Sequence, residues 1–542
     1  MKRHPTTGLV AAAVLALTAG ACGSGSGDGP GAGAAGTTRS PGAAPSASPS
    51  GAAPSSEPPE PTPSRSYPLS TAPRTIPAVR DHEPARGPGW KPGGAGGVVV
   101  AEGSGALADE GRLLARELGA GYRGERAAGP GDIELALDTG AAGGAESYTV
   151  TSRNGRVRIS GPDEAGVFYG TRTVKQAVRS GGAVPEGVIR DRPDRPRRGF
   201  MMDIARKPFD AAWIEARLRE MADLKMNEFG LHFSDDQAFR IESDSHPEVV
   251  SGDHLTKAEV RRIVDLARSL HIEVVPEIDS PGHLGAVIAA HPSLQLRNAQ
   301  GRATRGTVDI ANPESARIVD DLLREYAGLF PGSQWHLGAD EYQALVVRDP
   351  EGSYPDLAAA ARKRYGSGAR IQDLATGWLN DRAAVVRPAG KQLRAWNDGF
   401  FRDGKVSADK DVRVAYWTGK ELGARDPEEY LREGRELLNY NDEYLYYVLG
   451  EPNDFVYPTG RRIYEEWTPL VVRGSQAVPA RYSEQILGGG FAVWCDLADR
   501  QTQAQVADGI RMPLKATAQK LWAPGKPALS WAEFSALGQR LG

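Results

Sequence analysis

Two adjacent acids in the segment QWHLGADEYQ, Asp340 and Glu341, are the residues that most directly indicate acid-base chemistry. They follow an apolar run with Trp335 and Leu337, which predicts a buried strand ending near Gly338. Adjacent acids usually lie on a solvated surface. At a buried strand end they would instead share a partly desolvated site, where two carboxylates repel each other as anions. One of the two can then remain protonated near neutral pH and act as a general acid.

Two more polar clusters follow apolar runs. In VVPEIDSPGH, Glu277 and Asp279 precede a turn and His283, and the spacing from Asp279 to His283 suits a carboxylate that orients an imidazole. A lone histidine near a turn is more often structural, so both interpretations stay open. The segment LHFSDDQAFRIE adds a third cluster, for which surface or supporting roles compete with ligand contact: His232, Asp235, Asp236 and Arg240.

The elements that would position these clusters alternate between strand and helix from Arg198 onward, which is typical of a parallel sheet with crossover helices. Eight strands are predicted, in GFMMDIA, NEFGLHFS, IEVVPEID, QWHLGAD, KQLRAW, VRVAYW, RELLNY and GGFAVW. A closed (β/α)8 barrel of the TIM type over 195–542 would gather their ends around one pocket. The alternative is an open doubly wound sheet. The first strand is followed by no G-x-G-x-x-G motif, which argues against a dinucleotide-binding version.

A small α+β domain is predicted over 67–190, before the barrel. Its strand-like segments are VVVAEG, ESYTVTS and RVRISG, and its helix-like segments are ALADEGRLLARELGA and DEAGVFYGTRTVKQAVR. It contains no evident reactive cluster, so we expect it to serve in packing. Residues 23–66 are almost entirely Gly, Ala, Ser, Pro and Thr, which predicts a disordered tether.

The first 22 residues read as a secretory signal peptide, with basic residues at the start and a short apolar run after them. The run ends in TAGAC, which is similar to a bacterial lipobox, and we expect lipidation of Cys22. Cys22 could otherwise be an ordinary part of a cleaved signal. From the expected lipidation of Cys22, we predict an extracellular lipoprotein tethered to the outer face of the cytoplasmic membrane. Cys495 is the only other cysteine, so the mature region is predicted to have no internal disulfide and no cysteine cluster for zinc.

The overall charge argues against polyanionic partners. The formal net charge is −4 and the pI is about 6.2, which gives no broad attraction for nucleic acid or anionic lipid. We expect a neutral or weakly charged substrate, no nucleic-acid partner, and contact with a membrane only through the lipid anchor.

Taken together, the motifs resemble glycoside hydrolase family 20, the β-N-acetylhexosaminidases. The matching segments occur in order along the chain: RRGFMMDIARKPFD, MNEFGLHFSDDQAFRIE, VVPEIDSPGH, WHLGADE, AWNDGF, YWTG, NYNDEYLYYV and GGGFAVWCD. The segment NYNDEYLYYV is most similar to the branch that holds dispersin-type hexosaminidases and lacto-N-biosidases.

The resemblance implies substrate-assisted catalysis with retention, in which the 2-acetamido oxygen of the substrate is the nucleophile. Glu341 would protonate the leaving oxygen and then activate water, while Asp340 would orient the acetamide N–H. Tyr446 would donate to the acetamide oxygen, with Tyr447 as the alternative. This chemistry implies no metal and no organic cofactor.

The resemblance also implies residues that bind the sugar. Arg206 matches an arginine that grips sugar hydroxyls, and three tryptophans match the pocket walls: Trp396, Trp417 and Trp494. Asp279 and His283 match a relay behind the acid, and Asp235 matches a supporting carboxylate. Asp496 stands in WCD where W-x-E is usual, so its contact with the 4- or 6-hydroxyl is open.

Three functions remain in competition at the level of the sequence. The first is a β-N-acetylhexosaminidase acting on N-acetylglucosamine or N-acetylgalactosamine. The second, within the same family, is a lacto-N-biosidase or a poly-N-acetylglucosamine hydrolase. The third is a sugar-binding lipoprotein, which would have no need for the pair Asp340 and Glu341.

Overall fold

The first domain of the described chain is a mixed seven-stranded sheet with two helices packed against it. The computed structural model describes residues 66–94, 96–140, 143–421 and 423–542, so the predicted signal peptide, Cys22 and nearly all of the tether lie outside the described residues. The strands are β1 Asp81–Pro84, β2 Val98–Val100, β3 Tyr122–Glu125, β4 Ile133–Leu137, β5 Tyr148–Arg153, β6 Arg156–Gly161 and β7 Gly187–Asp191. Their order is β1-β7-β5-β6-β4-β2-β3. The helices are α1 Ala108–Leu118 and α2 Glu164–Gly181.

The second domain is a closed parallel barrel, which confirms the predicted fold class. Its chain continues with β8 Arg197–Asp203, β9 Glu228–His232, β10 Glu273–Glu277, β11 Gln295–Arg297, β12 Ala303–Val308, β13 Gln334–His336, β14 Gln392–Trp396, β15 Arg413–Tyr416, β16 Leu437–Asn439, β17 Tyr446–Val448 and β18 Ile486–Trp494. The barrel order is β16-β15-β14-β13-β10-β9-β8-β18, and a parallel pairing between β16 and β18 closes it. Strand β17 pairs beside β18, and β11 and β12 form a hairpin in the segment after β10.

Helices follow most barrel strands: α3 Ala211–Asp223, α4 Lys257–Ser269, α5 Gly285–Ala290, α6 Pro313–Leu329, α7 Pro350–Ser353, α8 Pro355–Tyr365, α9 Ile371–Val386, α10 Pro427–Arg432, α11 Asp442–Leu445, α12 Gly460–Glu466, α13 Gln503–Trp522 and α14 Trp531–Leu541. Helix α4 begins at a capping box in which Thr256 and Glu259 satisfy each other's backbone N–H groups. In the described part of the chain, every helix is too short or too polar to span a bilayer.

The ends of the barrel strands bring polar and aromatic residues together. Strands β8, β9, β10, β13, β14 and β18 end, in order, at Asp203, His232, Glu277, His336, Trp396 and Trp494, all of them buried. Parallel strands in a closed barrel end at the same rim, so these side chains converge on one region.

Buried charges connect the small domain to the barrel. The Lys225 ammonium, which precedes β9, donates to the Tyr148 hydroxyl at 2.6 Å and lies 3.2 Å from the Asp191 carboxylate. The Lys225 and Asp191 side chains are both fully buried. Arg198 of β8 pairs with Glu146 at 2.9 Å. Because a buried charge without its partner is costly, these pairs tie the two domains together.

Candidate active site

A tight turn after β13 orients the two adjacent acids. Gly338 has φ of 67°, and a Cβ there would lie 1.7 Å from Asp279 Oδ1, so only glycine fits. The same Asp279 oxygen accepts the Ala339 backbone N–H at 2.8 Å. The turn therefore wraps around Asp279, and it leaves Asp340 12% exposed and Glu341 39% exposed at their side chains.

Asp340 occupies the deeper position. Burial and the negative charge of Asp279 raise the pKa of Asp340 well above its usual value. Its Oδ1 is buried and has no hydrogen-bond partner among the described residues, and the Tyr446 hydroxyl shares this condition. Burial, together with the Asp340 charge, raises the pKa of Tyr446. A hydrogen-bond acceptor and a donor thus lie near each other without partners, which is costly unless a ligand completes them.

Glu341 lies on the solvent side. Its Oε2 is 3.4 Å from His283 Nε2, and its backbone N–H donates to Asp398 Oδ2 at 2.7 Å. The hydrogen bond from His283 lowers the pKa of Glu341 in the unliganded site. The residue expected to be the proton donor is therefore the more acidic of the two, and its proton has to be supplied when substrate binds.

His283 connects the acids to a carboxylate behind them. Its Nδ1 lies 3.2 Å from Asp235 Oδ1, whereas Asp279 Oδ2 is 3.9 Å from Nε2. Burial alone would lower the pKa of His283, but Asp235, Asp340 and Asp279 raise it well above its usual value. Asp235 is thus the nearer partner of His283, and Asp279 mainly holds the turn after β13.

A cation is not favoured at this cluster, although its spacing would permit one. Asp279, His283 and Asp340 each place a ligand-type atom within 4.8 Å of the others. A metal needs an imidazole nitrogen without a proton, whereas the raised pKa of His283 favours a ring that is protonated at both nitrogens in the free site. The arrangement therefore favours a hydrogen-bonded relay.

Arg206 is held rigidly at the end of β8. Its guanidinium lies 3.1 Å from Asp203 and 2.9 Å from Asp235, and it stacks over the Trp494 ring at 5.2 Å. Such a fixed planar fork suits hydroxyl recognition. Asp496 lies exposed two residues after Trp494.

Aromatic rings surround the Tyr446 side chain. Trp396 is fully buried and donates to Glu277 at 2.7 Å, and its ring centroid is 6.0 Å from that of Trp494. The Tyr446 ring lies 5.8 Å from the Trp494 ring and is parallel to the Trp417 ring, with a centroid distance of 5.7 Å and an angle of 4°. All three predicted tryptophans therefore lie beside Tyr446 or each other.

Tyr447, the alternative donor, is directed elsewhere. Its hydroxyl accepts a hydrogen bond from Gln501 Nε2 at 2.9 Å, and its ring packs against Tyr457 at 4.3 Å. Tyr446 and Tyr447 are neighbours on the short strand β17, where successive side chains point to opposite sides. The structure thus places Tyr446, and not Tyr447, with the acids.

Sequence reasoning missed Asp398 as a member of the site. Its carboxylate accepts both the Glu341 backbone N–H and the Trp417 indole N–H, the latter at 3.0 Å. Burial and the Asp340 charge raise the pKa of Asp398 to about 8. The AWNDGF segment was the available signal, but only the tertiary fold shows which side chains Asp398 contacts.

A buried histidine joins carboxylates at or just after the ends of two neighbouring strands, β9 and β10. His232 lies between Asp235, whose Oδ2 is 2.9 Å from Nε2, and Glu277, whose Oε2 is 3.4 Å from Nδ1. Asp235 thus contacts His232, His283 and Arg206 at once, and its own pKa stays well below the usual value because these positive charges outweigh its burial.

Comparisons with known proteins agree with this geometry. The model of the glycosyl hydrolase family 20 catalytic domain matches residues 196–524, and that of domain 2 of the same family matches residues 72–192. A lacto-N-biosidase of Bifidobacterium bifidum is 31% identical over 416 residues, covering 76% of this chain and 36% of that protein. A beta-hexosaminidase of Porphyromonas gingivalis is 30% identical over 321 residues, covering 54% of this chain and 40% of that protein.

The solved structure of a beta-N-acetylhexosaminidase from Streptomyces coelicolor A3(2) superposes with a TM-score of 0.69 at 25% identity, covering 88% of this chain and 96% of that one. The chain spans well under half the length of the two curated relatives described above. The family models together match both described domains, and the catalytic model alone covers more than half of the 542 residues. The chain therefore belongs to glycosyl hydrolase family 20.

Proposed function

We propose that the protein is a retaining β-N-acetylhexosaminidase that uses the acetamido group of its substrate as the nucleophile. The observation that carries this proposal is a pair of buried atoms near Trp494, Asp340 Oδ1 and the Tyr446 hydroxyl, which find no hydrogen-bond partner within the described part of the chain. An acetamide would satisfy both, because its N–H can donate to Asp340 while its oxygen accepts from Tyr446. The tryptophan rings would contact the acetamide methyl and the sugar face.

In the first step, the acetamide oxygen attacks the anomeric carbon as the bond to the leaving oxygen breaks. As positive charge develops on the acetamide nitrogen, its N–H donates more strongly to Asp340, and this stabilises the intermediate. Holding the nucleophile against the reacting carbon also gives the advantage of an intramolecular reaction. Glu341 transfers a proton to the leaving oxygen.

The proton for Glu341 comes from the hydrogen-bonded pair that it forms with His283. Substrate would cover the half-exposed Glu341 and remove water, which raises the pKa of a carboxyl group. The Nε2 proton of His283 can then pass to Glu341 Oε2 over the 3.4 Å contact. In the second step Glu341 takes a proton from water, and the resulting attack restores the acetamide with net retention.

Substitution of Glu341 tests the role of the acid. We expect Glu341→Gln to lower kcat for an N-acetylglucosaminide with a poor leaving group by roughly 10²- to 10⁴-fold, because general acid catalysis is lost. Binding of N-acetylglucosamine, measured by calorimetry, should change little. A matched control is Glu351→Gln, which lies on α7, and its kcat should match that of the wild type. Unchanged turnover in Glu341→Gln, or undetectable hydrolysis by the wild type across several hexosaminides, would favour a sugar-binding protein instead.

A second candidate is release of a disaccharide, as the name of the Bifidobacterium lacto-N-biosidase describes for that protein. The exposed Asp496 supports this candidate, because its side chain is one methylene shorter than that of the usual Glu and would leave more room for a second sugar. Hydrolysis of aryl N-acetylglucosaminide and aryl lacto-N-bioside should be compared. A kcat/KM higher for the disaccharide glycoside by tenfold or more would select the biosidase, and the reverse ratio would select the monosaccharide enzyme. Release of soluble oligosaccharides from poly-N-acetylglucosamine would identify that polymer as a substrate.

We further propose export and attachment to the outer face of the cytoplasmic membrane through a lipid on Cys22. The basic start, the short apolar run and the TAGAC segment support this proposal. Labelling with a radioactive fatty acid should mark the wild-type protein in the membrane fraction, while Cys22→Ser should remain unlabelled. Equal labelling of both proteins would contradict the anchor.

A further inference from the structure

Two histidines and a glutamate converge outside the active site, on two segments that also carry active-site residues. His246 and Glu248 lie in the segment between β9 and α4, on either side of the first residue of the short turn Pro247–Val249. His291 immediately follows α5. The first segment also carries Asp235, and α5 begins two residues after His283.

The three side chains meet at one carboxylate oxygen. Glu248 Oε1 lies 2.9 Å from His246 Nδ1 and 2.8 Å from His291 Nε2. The three ligand-type atoms all lie within 4.8 Å of one another. His246 is nearly buried, whereas the Glu248 and His291 side chains are 43% and 24% exposed. One side of the cluster is thus fixed, and the other is open to solvent.

A carboxylate also faces the other ring nitrogen of His246. His246 Nε2 is buried without a hydrogen bond of good geometry to any residue that the structure describes, and Asp321 Oδ2 lies 3.5 Å from it. A carboxylate on the second nitrogen is the arrangement that orients histidines in metal sites and fixes their tautomer. Arg317 adds a nearby positive charge, but it pairs with Glu314 at 2.6 Å and with Asp321 at 3.0 Å.

We propose that His246, Glu248 and His291 bind one divalent transition-metal ion of the zinc class. Two imidazoles and one carboxylate form a common three-ligand set for zinc, with water in the fourth position. Tetrahedral bonds of about 2.1 Å require ligand atoms about 3.3 to 3.5 Å apart. The observed contacts of 2.8 and 2.9 Å to Glu248 need to open by only about half an ångström, and the two exposed side chains can supply that movement.

Such an ion would cross-link the two segments. It would join the segment after β9, which carries Asp235, to the end of the helix that starts beside His283. Because metal binding to the folded state adds stability by mass action, the ion would hold the two active-site segments together without touching the substrate. Its role would be structural, at a distance from the catalytic acids.

Metal binding is tested on the full chain after treatment with EDTA and removal of the chelator. Addition of Zn²⁺ should give one bound ion per chain by elemental analysis after desalting, with a Kd below about 1 µM by calorimetry, and should raise Tm. Mg²⁺ at the same concentration should have no effect, because histidine ligands do not suit it. Failure of Zn²⁺ to bind, or binding with no rise in Tm, would overturn the proposal.

Variants distinguish this site from other surface histidines. His291→Gln and Glu248→Gln should weaken Zn²⁺ binding at least 30-fold and abolish the rise in Tm. His254→Gln is the matched control, since His254 lies exposed in the same segment and its Nδ1 lies 2.8 Å from the Ser251 carbonyl oxygen. Circular dichroism in EDTA checks that each variant folds. Retained Zn²⁺ binding in His291→Gln and Glu248→Gln would also overturn the proposal. None of these measurements depends on hydrolysis of any sugar.

Discussion

Asp340 and Glu341 are neighbours in the chain, yet their carboxyl groups have opposite environments. Asp340 is buried beside Asp279, and burial raises its pKa. Glu341 is partly exposed and hydrogen-bonded by His283, which lowers its pKa. Adjacency therefore does not determine which acid holds a proton in the free protein, because the protonation follows burial and the nearest charge.

At this scale, Tyr446 should be separable from its neighbour. We expect Tyr446→Phe to lower kcat by about 10²- to 10³-fold, because it removes a fixed donor to the acetamide oxygen. Tyr447→Phe removes only the hydrogen bond with Gln501 and should change kcat by less than about threefold. Steady-state kinetics on the same aryl hexosaminide measure both. A larger loss in Tyr447→Phe would reverse the assignment of the donor.

His232 should make stability depend on pH. Burial opposes its protonation, but Glu277 and Asp235 raise its pKa to about 10 from 6.5. The stabilisation is complete below pH 6.5 and is lost as the pH rises toward 10, because the folded state keeps a proton that the unfolded state has released. The free energy of unfolding should therefore fall in this range by at most about 1.4 kcal/mol per pH unit from this group.

Replacement of His232 tests that contribution. We expect His232→Gln to be less stable at pH 6.5 and to show a shallower fall in the free energy of unfolding between pH 6.5 and 10. Urea unfolding at several pH values gives the two slopes. Identical slopes in the wild type and in His232→Gln would show that His232 is not protonated in the folded state.

At the scale of elements, the turn after β13 determines where the catalytic pair lies. Its backbone adopts positive φ at Gly338, Ala339 and Glu341, and Asp279 from the segment after β10 fills its interior. Non-glycine residues rarely adopt such angles, so the surrounding contacts must maintain them. The positions of Asp340 and Glu341 thus depend on contacts between the ends of two neighbouring strands.

Gly338→Ala should disrupt this turn. The new Cβ would overlap Asp279 Oδ1, and the residue would keep a left-handed φ of 67°. We expect a loss of at least about 2 kcal/mol of stability and a loss of most activity. Gly328→Ala is the control, because a Cβ on that glycine in α6 meets open space and should stabilise by about 0.5 to 1 kcal/mol. Urea unfolding compares the two, and equal stabilities would contradict this account of the turn.

At the scale of the whole molecule, the two domains share buried charges, so we expect them to unfold together. Lys225 of the barrel contacts Tyr148 and Asp191 of the small domain, and Trp522 of α13 donates to the same aspartate at 3.0 Å. The small domain thus supplies groups that the barrel needs to satisfy its own charges. These contacts explain the presence of the small domain better than a catalytic role of that domain would.

Lys225→Met should therefore destabilise both domains together. It leaves Asp191 buried without its cation, which costs about 3 to 5 kcal/mol. The double substitution Lys225→Met and Asp191→Asn should recover part of that loss, because no unpaired charge remains. Calorimetry should show one shifted unfolding transition in the single variant. Separate transitions for the two domains, or an unchanged Tm, would contradict this coupling.

The sequence alone determined the class of fold and most members of the site. The eight strand segments, the alternating helices and the motif around Asp340 depend on local patterns of burial, and the structure confirms the barrel. Both acids were predicted from their position at a strand end, whereas Arg206 and the three tryptophans were implied by the resemblance to family 20. The strands and helices follow from short-range periodicity, and the sugar-binding residues follow from motifs shared with the family.

The tertiary structure alone decided which side chains meet. It placed Tyr446 rather than Tyr447 within electrostatic reach of Asp340, made Asp235 the nearer partner of His283, and added Asp398 as the acceptor of the Glu341 backbone N–H. It also gave the two acids opposite environments in the free protein, where burial and neighbouring charge shift their pKa values in opposite directions. Such contacts join residues far apart in the chain, and no local pattern in the sequence encodes the distance between them.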